Sequence, residues 1–224
     1  MHLQIEEQFD RIALEYDVQR AYLVPCLEDF YGIARTLLDL DKSDPNILDM
    51  GAGTGLLTQY IYEKYPEGKY TLIDLSQEML KVAKERFSLV NDVVYCMGDY
   101  CHYDYIEYYD AVISALSIHH LSDEGKQAAY NKAYERLTCG GIFINADQVL
   151  GNDEDTEALN RKHWLRLIEA SPLSHEEKQM AYNRMALDQM TTLQANMEMI
   201  RNSGFRHVEV YYKYYNFAVI RGVK

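Results

Sequence analysis

The stretch Ile47-Leu48-Asp49-Met50-Gly51-Ala52-Gly53-Thr54-Gly55 decides the fold, because an apolar strand runs straight into a glycine turn that opens a helix. Gly51, Gly53 and Gly55 permit positive φ and a close backbone approach, and a helix beginning near Leu56 aims its first amides into the same space. That geometry holds a nucleoside cofactor. Asp49, just before the glycines, adds a negative charge at the carboxyl end of the strand.

Three cofactors compete for such a turn: a dinucleotide, a nucleoside triphosphate and S-adenosylmethionine (SAM). A dinucleotide fingerprint requires G-x-G-x-x-G, and Leu56 stands where its third glycine would be. A phosphate loop requires a Lys that does not follow Gly55. A pyrophosphate would also be repelled by Asp49, whereas an ammonium and a sulfonium suit it. The following strand, 70–75, ends at Asp74, 23 residues beyond Gly51 and close to the spacing of roughly 20 for a ribose-binding acid. A third strand, 93–97, leads to Gly98-Asp99-Tyr100, which offers a carboxylate and an aromatic face for an adenine.

These segments resemble motifs I, II and III of the class I SAM-dependent methyltransferases. The resemblance implies that Asp49, Gly51, Ala52, Gly53 and Gly55 border the methionine part of SAM and that Asp74 and Leu75 lie at the ribose. Asp99 and Tyr100 then take the adenine, and Ala115 lies beneath the cofactor. S-adenosyl-L-homocysteine would be the product. A narrower resemblance, to the carboxy-SAM synthase branch, rests on Asp10-Arg11-Ile12-Ala13, Gln19-Arg20, Val24-Pro25, Asn183-Arg184, Gly204-Phe205 and Asn216-Phe217. It implies that Arg184 meets the extra carboxylate of carboxy-SAM.

The rest of the chain reads as a Rossmann-like α/β fold of seven strands with the last pair antiparallel. Residues 1–40 are expected to form a helical cap, with two helices over 4–39, Phe9, Ile12, Ala13 and Tyr16 on one stripe and a break at Pro25. The core, 46–150, alternates strand 46–50, helix 55–65, strand 70–75, helix 76–87, strands 93–97 and 109–115, helix 123–137 and strand 141–147. A helical insertion, 154–203, breaks at Ser171-Pro172 and near residues 188–192 and is expected to act as a lid. A closing pair within 206–222 is expected at 207–212 and 214–220, its tyrosines serving as edge and packing residues.

A chain of 224 residues with 48% hydrophobic content forms one sizeable core. The formal net charge of −13 disfavours nucleic acid as a substrate and favours a small molecule. Cys26, Cys96, Cys101 and Cys139 lack C-x-x-C spacing and read as reduced thiols, with no metal site expected. No apolar run is long enough to span a membrane and the first residues do not read as a signal peptide, so the expected location is cytoplasmic. The tyrosine-rich terminal strands and the lid offer surfaces for a homodimer.

Methyl transfer is an in-line displacement, so alignment and exclusion of water matter most. His119 and His120, at the exit of the fourth strand, are the candidate catalytic bases because imidazole titrates near neutrality. Tyr16, Arg20, Trp164 and Arg184 are the candidate substrate-binding residues. The expected activity is methyl transfer to a small acceptor. The alternatives are synthesis or use of carboxy-SAM and a SAM-binding module without catalysis.

Overall fold

The computed structural model describes residues 9–10 and 13–224. The α/β alternation produces a seven-stranded sheet: β1 (Asn46–Met50), β2 (Lys69–Asp74), β3 (Val93–Met97), β4 (Tyr109–Ala115), β5 (Leu137–Gln148), β6 (Arg206–Tyr214) and β7 (Phe217–Val223). Its order is β3-β2-β1-β4-β5-β7-β6. The first five strands run parallel, and β7 inserts antiparallel between β5 and β6. Strand order reverses between β1 and β4, so their carboxyl ends open the crevice where ligands of such sheets bind.

Successive strand residues point to opposite faces, and both faces are covered. On one face Ile47, Leu72, Ile113, Ile144 and Val219 meet the helices α1 (Tyr16–Leu23), α2 (Leu27–Leu37), α3 (Leu56–Tyr62), α4 (Gln77–Arg86), α6 (Glu154–Ala170) and α7 (His175–Met185). On the other, Leu48, Ile73, Val112, Phe143 and Ile220 meet α5 (Asp123–Arg136) and α8 (Leu193–Asn202). Near-continuous apolar strands are what a parallel sheet buried on both faces requires.

Side-chain caps start five of these helices. Ser76, Ser122, Asp153 and Thr192 accept from backbone amides in the first turns of α4, α5, α6 and α8. Ser174 and Glu177 form a reciprocal capping box on α7. The insertion therefore comprises three helices, broken after Ala170 and Met185.

The cap has helices on either side of Pro25, and Phe9, Ala13 and Tyr16 pack with Met79; Ile12 lies outside the described residues. Among the boundaries that differ from expectation, three shape the fold most. The first helix of the core spans 56–62 rather than 55–65. The fifth strand begins at Leu137, not 141, because Leu137 pairs with Tyr109 before a register shift admits Gly140 at φ +79°. The final turn falls at Tyr215 and Asn216, beyond the expected break at 213, since Phe217 is the first residue of β7 to enter the core. Alternating tyrosines continue a strand pattern across the expected break and obscure the turn.

No helix among the described residues is long and apolar enough to cross a membrane. Cys26 and Cys101 are buried thiols, while Cys139 is exposed.

Candidate active site

A cleft of about 950 Å³, counting its open mouth, lies over the carboxyl ends of β1, β2 and β4. Asp49, Gly51, Ala52, Gly53, Asp74, Leu75, Asp99, Tyr100 and Ala115 all line it, so nine of the ten expected cofactor residues converge. Gly55 does not line it. It precedes α3 at φ +75°, and a Cβ there would lie 2.8 Å from Phe87, so this glycine serves the turn and the packing of α4. Gly51 is needed for a different approach: a Cβ would fall 1.9 Å from Ser117 Oγ.

Asp49 is the decisive acid. It is buried, Thr58 Oγ1 donates to its Oδ2 at 2.6 Å, and its Oδ1 accepts no hydrogen bond among the described residues. Burial, with the nearby charge of Asp74, pushes its carboxyl up to about 7 against the Thr58 hydrogen bond. A cationic donor entering the cleft would satisfy the orphaned oxygen. Asp74 is held by the Gly53 and Ser76 amides, both at 2.8 Å. These bonds lower its pKa, but burial prevails and raises it.

Tyr31, Thr54, Leu116 and Ser117, not among the expected site residues, also line this cleft. Leu116 is a non-glycine residue at φ +52°, a conformation whose cost of roughly 1 kcal/mol or more turns the chain out of β4 across the cleft. Only a structure reveals such a turn, since leucine gives no sequence signal for it.

A second cavity of about 530 Å³ adjoins the first and shares Phe9, Tyr16 and His120 with it. Tyr16, Arg20, Trp164 and Arg184 all line it. Trp164 Nε1 donates to the Leu23 carbonyl at 2.8 Å, so the indole supplies an apolar wall. Arg20 stacks on the Tyr16 ring at 4.6 Å, and Arg184 Nη2 reaches Gln19 Oε1 at 3.3 Å. Arg20 Nε, Arg184 Nη1 and Gln19 Nε2 are buried donors without an acceptor among the described residues.

The two histidines differ. His119 Nδ1 donates to Asp147 Oδ1 at 2.5 Å, and its Nε2 lies 3.5 Å from Asp188 Oδ1. Burial opposes its charge, but the two carboxylates prevail and hold it up to about 10. His120 Nδ1 lies 2.9 Å from the same Asp188 oxygen, and burial followed by repulsion from His119 lowers its pKa. Of the two histidines, His120 alone borders both cavities. Asp147 and Asp188 were not among the expected site residues.

Residues 47–141 match the family described as "Methyltransferase domain". The match runs from β1 into β5, the part of the sheet that carries the cleft. The chain is 24% identical to the carboxy-S-adenosyl-L-methionine synthase of Nautilia profundicola, over 98% of this chain and 96% of that protein. It is 33% identical to the malonyl-[acyl-carrier protein] O-methyltransferase of Acetivibrio thermocellus, over 50% of this chain and 40% of that one. The fold matches a Nostoc punctiforme protein assigned as an O-methyltransferase with a TM-score of 0.67 at 18% identity, covering 96% of this chain and 60% of that one. Human N-acetylserotonin methyltransferase in complex with SAM gives a TM-score of 0.64 at 22% identity, covering 96% and 56% respectively. The chain thus spans somewhat over half the length of these two solved chains.

Proposed function

We propose that the protein transfers the methyl group of SAM to a small acceptor bearing an anionic group. The observation that carries this reading is the convergence of the unpartnered donors of Arg20, Arg184 and Gln19 on a cavity that opens into the cofactor cleft. Buried arginine donors without acceptors are costly, and a carboxylate or phosphate on the acceptor supplies the missing oxygens. In the reaction a lone pair on the acceptor forms a bond to the methyl carbon. The carbon–sulfur bond breaks with its electrons retained by sulfur, giving the thioether S-adenosylhomocysteine (SAH), and the acceptor's proton leaves for solvent. His120, at the junction of the cavities, touches the nucleophilic atom, and His119, fixed by Asp147, positions it.

The acidic balance of the chain supports a small molecule over nucleic acid, and its free thiols suit the reducing cytoplasm. A second reading, synthesis or use of carboxy-SAM, is favoured by Arg184 itself. A carboxylate on the sulfonium substituent would meet the same free Nη1, and the whole-length likeness to the Nautilia enzyme points the same way.

Mass spectrometry of the copurifying nucleoside separates the readings: SAM or SAH supports the first, carboxy-SAM the second. Absence of any bound nucleoside together with no heat of SAH binding would refute both. Incubation of labelled SAM with an extract of organic acids then tests turnover; no label transfer leaves a binding module. Once an acceptor is found, Arg20→Ala and Arg184→Ala are each expected to raise its KM about 10- to 100-fold, the value of a charged hydrogen bond, with SAH affinity within about twofold.

A further inference from the structure

The floor of the second cavity brings two imidazoles and a carboxylate to one point. His120 Nδ1 and His119 Nε2 lie 2.9 and 3.5 Å from the same oxygen, Asp188 Oδ1, and the three donor atoms all fall within 4.8 Å of one another. His119 and Asp188 are almost wholly enclosed, their side chains 3% and 4% exposed. His120 Nδ1, 2.9 Å from Asp188 Oδ1, has no well-formed hydrogen bond among the described residues.

The spacing suits a cation. Divalent transition ions bind imidazole nitrogen and carboxylate oxygen at about 2.0–2.2 Å. Neighbouring ligands on a tetrahedral or octahedral ion then stand about 3–3.5 Å apart, the range of both carboxylate–imidazole separations. The surrounding shell is already built. His119 Nδ1 donates to Asp147, so Nε2, facing Asp188, is the nitrogen that would give up its proton and offer a lone pair when a cation binds. The Asp147 carboxylate is itself fixed by the amides of His119 at 3.0 Å and Gln148 at 2.9 Å. The Gln189 amide donates to the His119 carbonyl at 2.9 Å, and Gln189 Nε2 to the His120 carbonyl at 3.1 Å, which ties the segment carrying Asp188 to both imidazoles.

We infer that His119 Nε2, His120 Nδ1 and Asp188 Oδ1 are the protein ligands of a divalent transition-metal ion, with Asp147 as the outer partner of His119 and the remaining coordination positions open to the second cavity. Two imidazoles and one carboxylate with open positions are a ligand set of zinc and of non-haem iron and its neighbours. An acceptor hydroxyl on such an ion loses its proton to solvent at neutral pH, and its oxygen lone pair then forms the bond to the methyl carbon. The inference rests on the methyl-transfer reading only for this use of the ion; the site itself is independent of it.

The test is titration of chelator-treated full-length protein with Co(II), followed by visible absorption, and with Zn(II), followed by calorimetry. One equivalent of each is expected, with d–d bands for cobalt. His120→Ala and Asp188→Asn should each weaken binding at least about tenfold, and Asp147→Asn about 10- to 100-fold. A far-UV circular dichroism spectrum and a melting midpoint close to the parent's report that the fold of each variant is intact. Should Asp188→Asn fail to fold, His120→Ala and the parent spectrum carry the test. Less than about a tenth of an equivalent of cobalt on protein that still binds SAH would overturn the site, and so would stoichiometric binding that survives both ligand substitutions. An imidazolium bridged by two carboxylates gives that first outcome. Cobalt binding without SAH binding would instead strike the methyl-transfer reading and leave the ion site standing.

Discussion

Asp49 is placed to couple cofactor binding to pH. Its folded pKa of about 7 lies above the ordinary carboxylate value, because burial and Asp74 outweigh Thr58. Between about pH 4 and 7 the unfolded chain has ionised this group while the folded apo protein still holds the proton, so the contribution of Asp49 to stability falls as pH rises through that window. A cationic ligand reverses the preference by favouring the carboxylate. SAH affinity, measured by calorimetry, is therefore expected to rise about tenfold from pH 6 to pH 8, with buried Asp74 acting in the same direction. Asp49→Asn should lose much of the affinity and most of that slope, and its apo form should be the more stable at pH 8; an unchanged slope would remove Asp49 from the ammonium site. The importance of Asp49 was legible in the sequence because acid and glycines are adjacent. Asp147 and Asp188 were not, since they lie 28 and 69 residues beyond His119 and only the fold brings them to it.

At the scale of elements, the short connection from α7 to α8 completes the histidine site. Residue 150 bridges to residue 192 beside β5, and Gln189 is stitched to the carbonyls of His119 and His120. Lys126 of α5 fastens the same connection from below. Its ammonium is 1% exposed and donates to the carbonyls of Leu121 and Gln189, the first at 2.6 Å. Lys126→Met would keep the stem and strand both acceptors, a loss of about 1–3 kcal/mol for each unsatisfied buried group, partly offset by removal of a buried charge. A lower urea midpoint at unchanged m-value is expected, with acceptor turnover falling more than SAH affinity; equal losses in both would show that the connection serves the whole fold rather than the second cavity. Helix and strand types in the core were legible from periodicity and caps. A break near 188–192 was legible too, but the role of this connection was not, because Asp188 acquires its place only through the bonds of Gln189 to Lys126 and the histidine carbonyls.

Across the molecule, the cofactor cleft is closed by parts that differ in how firmly they are held. The sheet and α2 are anchored by residues such as Phe30, Ile47 and Ile113, all fully buried. The first part of the cap is held chiefly at the rim of the cleft: Asp10 accepts from Ser76 Oγ at 2.5 Å, Asp17 accepts from Thr54 Oγ1 at 2.6 Å and pairs with Arg86, and Ala13 packs on Met79. Those partners stand on the glycine turn and on α4, the elements a nucleoside would touch, so ligand binding and cap closure share one set of contacts. Low-stability units of this kind open locally before the core does. Amides of Tyr16–Leu23 are therefore expected to exchange with deuterium well before those of β1 and β4 in the apo protein, and to slow selectively when SAH is added. At about a hundred times its Kd, SAH should stabilise the fold by about 2.7 kcal/mol, a Tm increase of roughly 5–10 °C for a chain of this size. Asp17→Asn, which weakens the clamp without entering the cleft, should shrink the protection of Tyr16–Leu23 while the sheet amides keep theirs. Equal exchange at Tyr16–Leu23 with and without SAH would mean that the cap closes independently of the cofactor.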